Sequence, residues 1–267
     1  MIYIAAGWRS RVVKGLYTAY TGMVNSQHRL DVVSNNLANA ATTGYKKEGC
    51  TTRSFDEVMG VKIKDMTVGH MNQPIGNMSL GAKIGETYRN WEQGSFIPTD
   101  NTYDFALSGK GFFEISFTNK LGETSTMYTR DGSFQMNSEG YLVTKDGDFV
   151  LGENGPIQLP VTIDKLSVEP TGEIYADGVY VDTFAMTDFE DYDYLEMYGE
   201  NLFVAVDGAT TMEPEATVNQ GYLEGANVNV VSEMVEMITI AREYESGQKV
   251  INAMDSMLGR MVNISEL

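Results

Sequence analysis

The sequence is poor in cysteine, histidine, tryptophan, proline and positive charge. Cys50 is the one cysteine in 267 residues, which excludes a disulfide scaffold and a cysteine-based zinc site. With no histidine near it in sequence, Cys50 reads as a small packed residue rather than a nucleophile. His28 and His70 are far apart and lack ligand spacing, so they read as surface or interface residues and leave no Ser-His-Asp set to assemble. Lys and Arg total 19 against 37 Asp and Glu, a net charge of −18. Such a surface repels phosphate backbones and anionic headgroups, so no nucleic-acid partner is expected, and it favours solubility before assembly. Between Met186 and Ala216 there are nine acidic residues and no Lys or Arg, which reads as a solvated acidic face rather than a cation site. No apolar run approaches the ~20 residues of a membrane span, so no membrane insertion is expected. The first residues lack a basic leader, and the apolar stretch Ile2–Ala6 is too short for a secretory signal. Export, if it occurs, is expected without a cleaved signal peptide.

Catalytic motifs are missing as well. Gly109-Lys110-Gly111 lacks P-loop spacing and precedes a strand pattern. Asp146, Asp148 and Glu153 lack the glycine and terminal glutamate of a calcium loop, and a hairpin turn explains them. A glycosidase-type carboxylate pair is defined by separation in space, and among 37 acidic residues some pair is inevitable, so none is assigned. The 16 methionines read as adaptable packing residues. No catalytic residue, metal site or cofactor is expected, and the chain is read as not an enzyme.

What is present is periodicity at both ends. Leu16, Ala19, Met23, Ser26, Leu30, Val33, Leu37 and Ala40 follow a 3–4 heptad spacing, and Thr43-Gly44 reads as the helix stop. Met234, Met237, Ala241, Tyr244, Gln248, Ile251, Asp255, Leu258 and Val262 repeat that spacing, with Ser232 as the expected N-cap. Gln248 and Asp255 read as polar breaks that set register. Between the ends the period changes to two. Lys145-Asp-Gly-Asp148 and Asp177-Gly178 are hairpin signals between short β-runs, and Gly111–Phe117 reads as a strand. Phe55–Met59 reads as the start of a short helix, and Thr67–Gly81 as an irregular connector. The expected fold is a mainly β central domain with long N- and C-terminal α-helices that pair as a coiled coil. The expected divisions are 1–11 as an extension, 12–44 as a polymerisation helix, 45–80 as a connector, 81–227 as the β domain and 228–267 as a second polymerisation helix. Such helices are marginal alone, because an apolar stripe needs cover. A non-closing contact between identical subunits would build a helical tube.

Several segments resemble flagellar rod and hook proteins. Lys14-Gly-Leu-Tyr-Thr-Ala-Tyr-Thr-Gly-Met, with Ser34-Asn-Asn-Leu-Ala-Asn-Ala-Ala-Thr-Thr-Gly-Tyr-Lys, is similar to the N-terminal signature of that family. Leu223-Glu-Gly-Ala-Asn-Val-Asn and Arg242-Glu-Tyr-Glu resemble the C-terminal one, and Asp104-Phe-Ala-Leu-Ser-Gly and Tyr128-Thr-Arg-Asp-Gly-Ser-Phe resemble its β-domain motifs. Asn35, Asn36, Leu37, Asn39, Thr43, Gly44, Asn227 and Asn229 belong to these motifs. The resemblance implies the flagellar rod/hook architecture and a structural subunit of the basal-body rod, the drive shaft between motor and hook. It implies a homo-oligomer in a helical rod, with other rod proteins, the hook protein and the flagellar type III export apparatus as partners. Length fits the distal-rod or the proximal-rod type, with a slight lean to the distal. Leu16, Met23, Leu30, Val33, Leu37, Met234, Met237, Ala241, Tyr244, Ile251 and Leu258 are the expected polymerisation interface. Residues 1–11 have no counterpart in the family. They are either a misassigned start, with Val12 or Val13 the true initiation site, or a genuine extension. The competing readings are a secreted β-domain enzyme or surface-binding module with helical ends, and an intracellular coiled-coil scaffold.

Overall fold

A computed structural model describes residues 3–55, 58–62, 73–79, 81–119, 122–163, 165–199 and 201–264. His70 lies outside them. Two helices bracket the chain: α1 (Tyr3–Ala38, 36 residues) and α2 (Val230–Ile264, 35 residues). At 1.5 Å rise per residue each is about 50 Å long. Among the described residues between them, strands and turns prevail, with one short 3-10 helix at Tyr192–Tyr194, so the protein is mainly β with a long helix towards each end.

The chain forms two compact units. One holds Met1–Leu37, Glu48–Tyr88 and Val230–Leu267; the other holds Ala38–Lys47 and Arg89–Asn229. In the first, α1 and α2 run antiparallel. Gly15 lies at Met254, Met23 at Gly247 and Asn36 at Glu233. Strand Glu48–Ser54 pairs with Ala82–Arg89, and Val58–Lys62 pairs with Gln73–Met78. Val58 and Met59, expected in a helix, therefore lie in a strand, as does Gln73–Met78 of the expected connector. Cross-strand partners from a distant segment outweigh the local pattern there.

In the second unit, a ten-stranded sheet runs among the described residues. Its centre is Phe112–Thr118, antiparallel to Thr124–Thr129 on one side and to Phe149–Gly152 on the other. Both expected hairpins form. Val143 pairs with Phe149 across the Lys145–Asp148 turn. Ala176 pairs with Val179 across Asp177-Gly178, whose φ values of 51° and 82° are both positive, as the mirror-image tight turn requires. The main core gathers Phe105, Leu107, Phe113, Phe134, Val150 and Ile157, each at most 1% exposed. A second cluster holds Phe112, Phe189, Leu195 and Phe203, with Trp91 and Tyr192 packed on it.

Candidate assembly site

The helix pair is the first part of the site. On α2 the half-buried or buried residues among those described are Glu233, Glu236, Met237, Ile240, Ala241, Tyr244, Gly247, Ile251, Met254 and Leu258. Met237, Ala241, Tyr244, Ile251 and Leu258 thus lie on the half-buried face of α2. Met234 is 47% exposed and points outward. Gln248 and Asp255 are exposed too, so they do not break the seam. Gly247 and Met254 hold those levels instead. A Cβ on Gly247 would stand 2.6 Å from Met23 Cγ, and one on Gly15 2.7 Å from Met254 Cε. Each helix therefore offers a glycine hole to the other's methionine, which brings the backbones close. On α1, Val33 is buried and Leu16, Met23, Leu30 and Leu37 are half-buried. Arg29 spans Glu236 at 3.4 Å and Glu243 at 3.2 Å across the pair. These partners are partly exposed, so the bridges contribute little energy and mainly fix register.

Asn36 closes this arrangement. It is 1% exposed. Its amide donates to Glu48 O at 2.8 Å and to Glu233 Oε2 at 3.3 Å, while its Oδ1 accepts from Glu48 N at 2.9 Å. One side chain thus joins α1, α2 and the start of the first strand. Cys50 sits in this strand, half-buried; burial pushes its thiol up, against the pull of Arg29.

The second part lies in the other unit, where Ala38–Lys47 is fastened to the β structure. α1 ends at Ala38, before the expected stop at Thr43-Gly44. Asn39 starts a turn there: its carbonyl accepts from Thr42 N at 3.1 Å, and its Oδ1 accepts from the Thr42 hydroxyl at 3.2 Å. Thr43 then donates to Asp131 Oδ1 at 2.7 Å. Gly44 has φ 71°, and a Cβ there would stand 2.5 Å from Asp131 N, so only glycine fits this left-handed, close-approach position. Its N–H donates to Glu224 O at 2.8 Å.

Next comes a buried ionic triad. Glu224 (side chain 0% exposed) receives Lys46 Nζ at 2.7 Å and Arg130 Nη1 at 3.4 Å. Gly94 N also donates to it at 2.9 Å, and Lys46 donates to Glu92 O at 2.9 Å. Arg130 donates to Gly109 O and stacks 5.2 Å above the Phe112 ring, which ties the triad to the second core cluster. Burial pushes the Lys46 ammonium below its ordinary value despite Glu224 beside it. Asn227 completes the fastening: its Oδ1 accepts from Lys47 N at 2.6 Å and its amide donates to Asn90 O at 2.7 Å.

Of the motif residues, Asn36, Gly44 and Asn227 act on backbone, and the side chains of Asn39 and Thr43 bond those of Thr42 and Asp131. Asn36, Asn39, Thr43, Gly44 and Asn227 each hold a turn or strand end, while Asn35 and Asn229 are exposed. Sequence reasoning assigned no role to Lys46, Arg130, Glu224 or Asp131, although each stood inside a quoted motif. A signal was available: Glu224 sits between Leu223 and Gly225 in a strand, where an unpaired carboxylate is costly.

The helix pair fastens the two ends of the chain to each other, and the matching families cover both ends and the β structure between them. Residues 16–46 match the flagella basal body rod protein family, 106–176 the flagellar hook protein FlgE/F/G D1 domain, and 219–264 the flagellar basal body rod FlgEFG protein C-terminal family. The chain belongs to the flagellar basal-body rod protein family, whose members are structural proteins and not enzymes. It is similar to the flagellar basal-body rod protein FlgG of Caulobacter vibrioides, 34% identical over 92% of this chain and 97% of the relative. It is 32% identical to FlgG of Agrobacterium fabrum over the same shares. The flagellar basal-body rod protein FlgF of Mesorhizobium japonicum is 31% identical over 86% of this chain and 89% of its own length. This chain is accordingly a structural rod component of the flagellar basal body.

Proposed function

We propose that copies of this chain polymerise through their terminal helices, paired as a coiled coil, into the axial drive shaft that carries torque from motor to hook. The observation that carries this reading is the α1–α2 pair. Its inner face is closed by Met23, Gly247, Gly15 and Met254, while α2 still exposes Val231, Met234, Val235 and Ile238. Exposed aliphatic residues on a regular helix call for cover from another chain. Leu16, Met23, Leu30, Val33, Leu37, Met237, Ala241, Tyr244, Ile251 and Leu258 then hold the pair together, and Met234 faces a neighbour. The proposed partners are other copies in a helical rod, other rod proteins, the hook protein and the type III export apparatus, with export lacking a cleaved signal peptide. The distal-rod type is favoured, because the two FlgG relatives named above align over 97% of their length and the FlgF relative over 89%.

The test uses Leu30→Asp and Ile251→Asp in the full chain. Each puts a charge into the helix seam, at a cost of several kcal/mol. The expected result is loss of swimming with the near-ultraviolet circular dichroism of the β structure unchanged. Normal swimming by both variants would refute the reading.

A further inference from the structure

We propose that one copy docks the exposed stripe at the start of its α2 into a groove beside the middle of α1 in the next copy. The inference rests on the polymerisation reading above and names the two surfaces that carry it.

The stripe is Val231, Met234, Val235 and Ile238, exposed by 71%, 47%, 60% and 54%. Their i, i+3, i+4, i+7 spacing puts them on one helix face, opposite the buried Glu233 and Ile240 and the half-buried Met237. This is the anchor pattern by which an amphipathic helix enters a groove. Solvation of four such side chains is unfavourable, and no described residue of their own unit buries them.

The groove lies in the same unit. Tyr17, Tyr20 and Val24 of α1 face Phe55, Ala82 and Ile84, around an open space of about 260 Å³. Tyr17 and Tyr20 are 49% and 56% exposed, and the Tyr17 ring packs against Phe55 with centroids 6.3 Å apart, forming one aromatic side of the space. Its apolar lining of Tyr17, Tyr20, Val24, Phe55, Ala82 and Ile84 offers cover to aliphatic side chains. Lys83 stands among its lining residues. The segment that would meet it, residues 230–241, carries Glu233 and Glu236 and no Lys or Arg. In a chain of net charge −18 that pairing lowers the repulsion between copies.

Position decides what the contact builds. Met23 is level with Gly247 and Asn36 with Glu233. The groove therefore lies level with the middle of α2, about a dozen residues or roughly 20 Å along the axis from the stripe. The two surfaces do not overlap, so each copy can give its stripe and receive another at once. Such a contact is heterologous and does not close on itself.

The experiment starts from the full chain carrying Cys50→Ser, which removes the lone thiol. Tyr20→Cys and Ile238→Cys are added to that chain, and basal bodies purified from cells expressing it are treated with a short bismaleimide. A ladder of dimer, trimer and higher species on a denaturing gel is expected. Normal incorporation with only monomer, or with a ladder that stops at dimer, would overturn the docking. Absence of the Cys50→Ser chain from basal bodies would instead overturn the polymerisation reading. As a second measurement, Ile238→Lys should cut incorporation at least tenfold while leaving the circular dichroism of the isolated chain unchanged. Wild-type incorporation of that variant would also overturn the docking.

Discussion

Replacing Glu224 by glutamine keeps its shape and removes its charge. Lys46 and Arg130 then face each other with side chains 1% and 5% exposed and no anion between them. The triad carries two cations and one anion, so the change leaves two uncompensated positive charges. Removing one partner of a buried pair costs about 3–5 kcal/mol, a large share of a domain stability of about 5–15 kcal/mol. For a unit of about 150 residues, that lowers Tm by roughly 6–20 °C. Lys46→Met makes the useful contrast. It leaves one cation with one anion, and it deletes an ammonium that burial already disfavours. Its cost should be the smaller of the two, and the double variant should cost less than the sum. Trp91 packs on Phe112, over which Arg130 stacks, so its fluorescence reports melting at the right place. If Lys46→Met lowers Tm as much as Glu224→Gln, the charge argument fails. The pH dependence has a definite sign. The folded-state value of Lys46 lies below 10.5, so between the two values the unfolded chain holds the extra proton. Stability contributed by this residue therefore rises with pH in that window, and Lys46→Met should abolish the rise.

Four further outcomes are expected. Gly15→Ala should be neutral or mildly stabilising, because the flexible end of Met254 can move aside and alanine gains about 1 kcal/mol of helix propensity. Gly247→Ala meets the stem of Met23 and should cost about 1–3 kcal/mol, read as a lower helix melting point at 222 nm; equal effects would refute the glycine-hole account. Gly44→Ala must take φ 71° and press on the Asp131 backbone, at a cost above the roughly 1–2 kcal/mol of the left-handed conformation alone, and an unchanged denaturant midpoint would contradict this. Tyr175 donates to Glu173 at 2.7 Å, which pushes its phenol up to about 12. The ultraviolet titration difference between the protein and Tyr175→Phe should show that late midpoint, and Glu173→Gln should return it toward 10.0. The sign is that of a raised value: the contribution is complete below 10.0 and is lost as pH rises through about 12.

The two helices were legible because amphipathic period survives any tertiary context that buries one face. Their detail was less so. The seam of α2 was read through Gln248 and Asp255, one residue past Gly247 and Met254. Pattern reading weighs side chains, and a glycine that serves as a hole has none to weigh. The start of α2 at Val230 puts Ser232 inside the helix rather than at its cap, and α1 ends at Ala38 because Asn39 and Thr42 bond each other. The helix described from Tyr3 also begins before the expected Val12. Hairpins at Asp146-Gly147 and Asp177-Gly178 were legible because positive φ demands particular residues. Pairings such as Val58–Lys62 with Gln73–Met78 join segments ten or more residues apart, which local pattern does not encode. The triad was hidden for the same reason: Lys46, Arg130 and Glu224 come from three distant stretches and become a site only when folding brings them together.

The most direct test of the account is electron microscopy of basal bodies from a deletion strain complemented either with the full chain or with a chain ending at Asn229. The account predicts complete rods with the full chain and truncated or missing rods with the shortened one. Complete rods built with the chain that lacks α2 would contradict it.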